Sequence, residues 1–161
     1  MKIYLAGDHA GFALKQALLA HIPMLGEYDV EDVGAFALDE DDDYPDFITP
    51  CAKLVAADPE SRGIIIGGSG NGEAMAANRI SGVRAAVFYG PVHAPAGLDR
   101  EGNVAADEYD IVRLARKHND ANILSLGSRF VSGETALEAV RLFLTEPFSD
   151  SPRHARRLGK F

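Results

Sequence analysis

Ile64-Ile65-Ile66, entered through Gly63, run straight into Gly67-Gly68-Ser69-Gly70-Asn71-Gly72-Glu73 and on into Ala74-Met75-Ala76-Ala77-Asn78-Arg79. The order reads as strand, glycine loop, helix. Four glycines within six positions let the backbone turn tightly and present its N–H groups to an anion. The helix start behind them adds partial positive charge and amides that lack an intrahelical partner. Glu73 places a carboxylate beside any oxygen held there. A base next to an oxyanion cradle is what proton abstraction beside a carbonyl requires. The same residues also describe a plain strand-to-helix turn whose first-turn acid complements the helix dipole.

Two familiar glycine-loop signatures do not fit. A phosphate-binding P-loop ends in Gly-Lys-Ser/Thr, whereas this helix opens with Gly72-Glu73. A dinucleotide fingerprint wants a third glycine where Glu73 stands and an acidic residue about 20 positions later, in the region of Phe88-Tyr89-Gly90-Pro91.

The strand–helix alternation extends along the chain. Residues 3–6 read as a strand closing on Gly7-Asp8-His9-Ala10-Gly11. A helix over about 12–21 follows, with Leu14, Ala17, Leu18 and His21 on one face. Residues 28–33 form a second strand ending at Gly34. After the acidic loop 39–43, Tyr44-Pro45 starts a helix that runs to about residue 57, with Pro50 near a kink and Asp58-Pro59 as its stop. Further strands read at 64–66, 84–88 and 123–126, and further helices from about 110 to 118–119 and over 133–145. This repetition predicts an α/β fold: a single-domain, Rossmann-like three-layer sandwich over residues 1–161, with a five-stranded parallel sheet between helices. Ligands of such sheets bind beyond the carboxyl ends of the strands. That rule gathers Asp8-His9, the glycine loop and Gly127-Ser128-Arg129 on one rim. Residues 90–110 break the rhythm with Pro95, Gly97, Gly102 and the mixed charges Asp99-Arg100-Glu101. They read as an inserted loop leaving the fourth strand, expected to lie over the site.

Composition narrows the function classes. A net charge of −8 speaks against nucleic acid or an anionic membrane as partner. Positive charge is nonetheless concentrated in Arg153-His154-Ala155-Arg156-Arg157, either a solvated tail or a grip for a small anion. Cys51 is the only cysteine, which rules out an intramolecular disulfide and a thiolate metal cluster. Neither a signal core after Lys2 nor the ~20 apolar residues of a membrane span is found, so a cytoplasmic setting is expected.

Five ordered motifs then identify a resemblance: Asp8-His9-Ala10-Gly11-Phe12; Asp43-Tyr44-Pro45; the loop 67–73 with Ala76-Ala77-Asn78; His118-Asn119-Asp120-Ala121-Asn122; and the basic run from Arg153. Together they resemble the ribose-5-phosphate isomerase B family, which also contains galactose-6-phosphate isomerase subunits. The resemblance implies interconversion of phosphorylated aldoses and ketoses through an enediolate, without metal or cofactor. One branch of that family carries a catalytic cysteine where this chain has Gly67. The other has glycine there and a glutamate base at the position of Glu73, and this chain resembles the second. Cys51 is expected to serve small apolar packing.

The resemblance also implies roles. Glu73 is the base, Ser69 helps move the proton near O1 and O2, and His118 with Asp8 opens the sugar ring. His9, Tyr44 and Asn119 contact substrate, and the backbone of Gly68, Gly70, Asn71 and Gly72 cradles it. Arg129, Arg153, His154 and Arg157 grip the phosphate, as planar guanidinium forks do well. Read locally, Asp8-His9 is also ordinary turn chemistry and His118 also suits a helix C-terminus. His21 and His93 match no family site; His21 is expected to be partly buried. The implied assembly is a homodimer or dimer of dimers with shared active sites, acting on D-ribose 5-phosphate and D-ribulose 5-phosphate. Alternatives are a galactose, allose or tetrulose phosphate, or a non-catalytic sensor of phosphorylated sugars.

Overall fold

The computed structural model describes residues 1–98 and 102–160; the charged triplet at 99–101, singled out above, lies outside them. Five strands run Lys2–Gly7 (β1), Asp29–Asp32 (β2), Arg62–Gly67 (β3), Ala85–Phe88 (β4) and Ile123–Gly127 (β5). The helices are Phe12–His21 (α1), Pro45–Ala57 (α2), Asn71–Ala77 (α3), Asp110–Asn119 (α4), Gly133–Thr145 (α5) and Pro152–Leu158 (α6). Every strand pairing is parallel, in the order β2-β1-β3-β5-β4.

The central strands are buried on both faces, which is why β3 and β5 are mostly apolar rather than alternating, with Arg62 at the start of β3 and Ser125 within β5 as the polar members. On one face Leu5, Ile64, Ile66 and Leu124 meet Leu18 of α1, Val112 of α4 and Val140 and Phe143 of α5. On the other, Ala6, Ile65 and Ile123 meet Ile48, Cys51 and Val55 of α2 and Ala77 of α3. This is the three-layer sandwich expected from the β–α alternation. Cys51 is fully buried in the second cluster, and burial pushes its thiol up to about 12. It therefore packs as a small apolar group and is not a nucleophile at neutral pH.

One local expectation changes. The buried face of α1 carries Lys15 and Leu18, while Ala17 and His21 are exposed. Lys15 is fully buried because its ammonium pairs with Asp32 at the end of β2, the pairing that a buried charge requires. Pro50 lies inside α2, which continues through it. The basic C-terminal run forms the helix α6.

Between β1 and β3 the chain order reverses direction across the sheet. From β1 it builds outward to β2, then crosses back to β3 and builds to the other side. A parallel sheet opens a crevice at such a point, beyond the strand ends.

Candidate active site

That crevice is flanked by the turn after β1 and the glycine loop after β3. Asp8 is 6% exposed, and its Oδ1 accepts the Gly11 N–H at 3.0 Å. Gly11 lies so close to β3 that a Cβ there would stand 2.3 Å from the Ile66 carbonyl oxygen. The Asp-His-Ala-Gly sequence thus lets α1 press onto β3 while Asp8 closes the turn.

Opposite it, Gly70 takes φ +76°, a left-handed conformation that glycine enters without penalty. Its carbonyl accepts the buried hydroxyl of Ser125 at 2.7 Å. The Ser69 hydroxyl accepts the Asn71 N–H at 3.3 Å. Glu73, in the first turn of α3, is 4% exposed. Its carboxyl group fills the space above Gly67: a Cβ on residue 67 would lie 1.8 Å from Glu73 Oε1 and 2.1 Å from Cδ. Burial pushes the Glu73 carboxyl above its ordinary value, and the nearby Asp8 charge adds to the rise. The backbone N–H groups of Glu73 and Gly70 oppose it. A carboxylate raised in this way is a stronger base, better matched to accept a proton near neutral pH.

The rest of the rim closes around this pair. Tyr44 packs over Gly72, where a Cβ would come within 2.9 Å of its ring. The Arg129 guanidinium lies above Gly68, 3.1 Å from a Cβ placed there. His9 Nδ1 stands 2.6 Å from Asp42 Oδ1. Tyr89, at the root of the 90–110 segment, donates its hydroxyl to Asn71 Oδ1 and meets Phe130 edge to face. One end of the sheet thus brings together Asp8, His9, Tyr44, Gly68, Ser69, Gly70, Asn71, Gly72, Glu73 and Arg129. The described part of the inserted segment is rooted at that same end.

His118, Asn119, Arg153, His154 and Arg157 are not there. Asn119 ends α4 just before Ile123 opens β5, whereas Gly67 and Gly127 close their strands at the crevice end. The length of β5, roughly 15 Å, separates the two groups. At the far end, α6 docks on α4: Ser149 N–H donates to the Lys117 carbonyl at 3.2 Å, and the rings of His118 and His154 lie 4.2 Å apart. One chain therefore does not bring both groups around one small ligand.

The His118-to-Asn122 motif also has a structural job that the sequence reading missed. Asp120 adopts φ 45° and receives Arg84 at 2.8 Å and Arg116 at 2.7 Å. Asn122 accepts the Arg84 N–H at 2.7 Å and donates to the Gly82 carbonyl at 2.8 Å. These bonds fix the turn on which His118 and Asn119 stand.

Comparison with known proteins identifies the family. The family model described as Ribose/Galactose Isomerase matches residues 3–106 and 101–161. The ribose-5-phosphate isomerase B of Mycolicibacterium paratuberculosis is 41% identical over 158 residues, covering 98% of this chain and 87% of that protein. Among solved structures, ribose-5-phosphate isomerase B of Mycoplasma genitalium with bound ribulose-5-phosphate superposes with a TM-score of 0.82 at 35% identity, covering 99% and 92% of the two chains. The type B ribose 5-phosphate isomerase of Trypanosoma cruzi gives 0.84 at 31% identity, covering 99% and 95%. With matches over nearly its whole length, this chain belongs to the ribose/galactose isomerase family.

Proposed function

We propose that this protein interconverts D-ribose 5-phosphate and D-ribulose 5-phosphate, with Glu73 as the base that carries the proton between C2 and C1. The observation that carries this reading is the buried Glu73 carboxyl above Gly67, raised in pKa and next to Asp8 at the mouth of the β1–β3 crevice. Relatives bearing the ribose-5-phosphate isomerase B name, one with ribulose-5-phosphate bound, support the choice of sugar.

His118 and Asp8 open the furanose: the anomeric hydroxyl gives up its proton as the ring oxygen gains one. Glu73 then removes the C2 proton, leaving an enediolate, and returns it to C1 to give the ketose. The Gly72 amide serves the developing oxyanion, that of Gly70 being shared with the Glu73 carboxyl, while Ser69 relays the proton between O1 and O2. Asn71 contributes less through its backbone, because its N–H already meets Ser69. Tyr44, His9 and Asn119 contact sugar oxygens. Gly68 leaves room for Arg129, which shares the phosphate with Arg153, His154 and Arg157. A charged sugar phosphate stays in the compartment that makes it, so the setting is cytoplasmic.

This scheme needs a second copy of the chain. The far-end group of one subunit completes the crevice of the other, so the working unit is a homodimer, alone or paired into a tetramer. Mixing Glu73→Gln with His118→Asn protein, after dissociation and reassembly, should recover activity that neither shows alone. Statistical mixing places one intact site in half of the dimers, or about a quarter of wild-type activity. Rates equal to the inactive parents at every mixing ratio would show that the sites are not shared.

The basic helix supplies another expected result. Arg153→Ala and Arg157→Ala should each raise KM for ribose 5-phosphate roughly ten- to a hundredfold, the scale of a lost charge-assisted hydrogen bond. Melting temperature should barely change, since Arg157 is exposed and Arg153 half-buried. Unchanged affinity by titration calorimetry in both variants would remove the phosphate role. A coupled assay across ribose, allose, galactose and tetrulose phosphates tests the whole reading. Preferred turnover of a six-carbon sugar would move the substrate assignment, and binding without turnover would mark a sensor.

A further inference from the structure

The acidic loop 39–43 contributes one buried member. The Asp42 side chain is 7% exposed, whereas Asp39, Glu40, Asp41 and Asp43 are all exposed. Its Oδ1 accepts the backbone N–H of His9 at 3.1 Å and stands 2.6 Å from His9 Nδ1. Its Oδ2 is buried and has no hydrogen-bond partner among the described residues. Burying a carboxylate with one oxygen unsatisfied is costly unless a cation stands beside it. Both hydrogen bonds of the Asp42 carboxylate lead to His9, so the imidazolium is the cation at hand.

We propose that Asp42 is a positioning residue for His9. Its carboxylate fixes the rotation of the imidazole and holds it protonated, so that Nε2–H donates to a substrate oxygen. The backbone bond from His9 N–H to the same oxygen fixes the residue from its main chain as well, which restricts the ring to one orientation. With Nδ1 committed to Asp42, Nε2 is the nitrogen that can meet a ligand. The charged groups facing His9 are Asp42 from the loop before α2, Asp8 from the end of β1 and Arg129 from beyond β5. The two carboxylates favour the cation, Asp42 most strongly, while burial and, to a smaller extent, Arg129 oppose it. The balance raises His9 above its ordinary value of 6.5. This inference rests on the reading of His9 as a substrate contact in the isomerase site.

The test is a double-mutant cycle with a proton readout. Asp42→Asn should raise KM for ribose 5-phosphate roughly tenfold or more, the scale of a lost charged hydrogen-bond donor, with kcat changed less than KM. The loss should grow as pH rises through about 6.5, where an unsupported imidazole gives up its proton. In a His9→Gln background the same substitution should have almost no further effect. An equal loss in both backgrounds would overturn the proposal, as would wild-type kinetics in His9→Gln. Independently of activity, the ring-nitrogen shifts of His9 should show both nitrogens protonated at about pH 7 in the wild type. In Asp42→Asn its titration should move downward. A neutral His9 ring in the folded wild type would overturn the proposal even if Asp42→Asn failed to fold. If the protein does not isomerise ribose 5-phosphate at all, the proposed substrate fails, while the ring titration still decides for or against the Asp42–His9 pair.

Discussion

Glu73→Gln should bind ribose 5-phosphate almost normally and turn it over about 10²–10⁴-fold more slowly, the usual contribution of a positioned general base. Glutamine matches the shape of the buried side chain but cannot accept the C2 proton. A coupled spectrophotometric assay reads the rate, and calorimetry reads the binding. Near-normal turnover would transfer the proton to another group and leave Glu73 a first-turn acid. In the wild type, kcat should fall on the acid side as Glu73 takes up its proton, at a pH above the ordinary carboxyl value of 4.5.

The same substitution should make the fold more heat-resistant at neutral pH. The sign follows from the raised pKa: the native state holds the proton more tightly than the unfolded chain. Stability linked to Glu73 is therefore fully present below about 4.5 and is lost as pH rises through the higher folded-state value. Glutamine carries no such loss. The melting-temperature gap between variant and wild type should be small in acid and widen towards neutrality. A variant less stable than wild type at pH 7 would show that the buried carboxylate is held by stronger contacts than those described.

Gly67→Ala should cost nearly as much activity without touching a catalytic atom. The added methyl carbon would occupy a point 1.8 Å from Glu73 Oε1. What yields is the end of a flexible side chain rather than backbone, so the protein should fold while the base swings off its position. A displacement of about 1 Å can cost some 10²-fold. The double variant Gly67→Ala/Glu73→Gln should then be no slower than Glu73→Gln alone, because both changes act through one carboxylate. Additive losses would place the damage in the loop backbone instead. Gly68→Ala meets Arg129 at 3.1 Å and should act on KM more than on kcat.

Much of this architecture can be read from local pattern. The apolar run into the glycine loop, with helix behind it, appears as β3 and α3, and the strand-end rule placed Asp8, the loop and Arg129 on one rim. What escaped depends on partners distant in the chain. Periodicity alone turned α1 onto Ala17 and His21, since nothing near Lys15 announces that Asp32 will neutralise it in the core. Asp42 is one acid among five consecutive ones, and only the fold selects it to meet His9. The motif that places His118 at a helix end is visible in sequence. That this end lies a strand's length from Glu73 follows only from the direction of β5.

The single space above Gly67 also bears on how such a site can change over generations. A side chain on residue 67 and a carboxylate reaching back from residue 73 compete for the same few cubic ångströms. With Glu73 as the proposed base, a lineage exchanging one reactive group for the other has no comfortable halfway house: gaining the first before losing the second would jam both, and losing the second first would leave the crevice without its base. Paired replacement, or a spell under relaxed selection beside a second gene copy, is the passage this geometry leaves open.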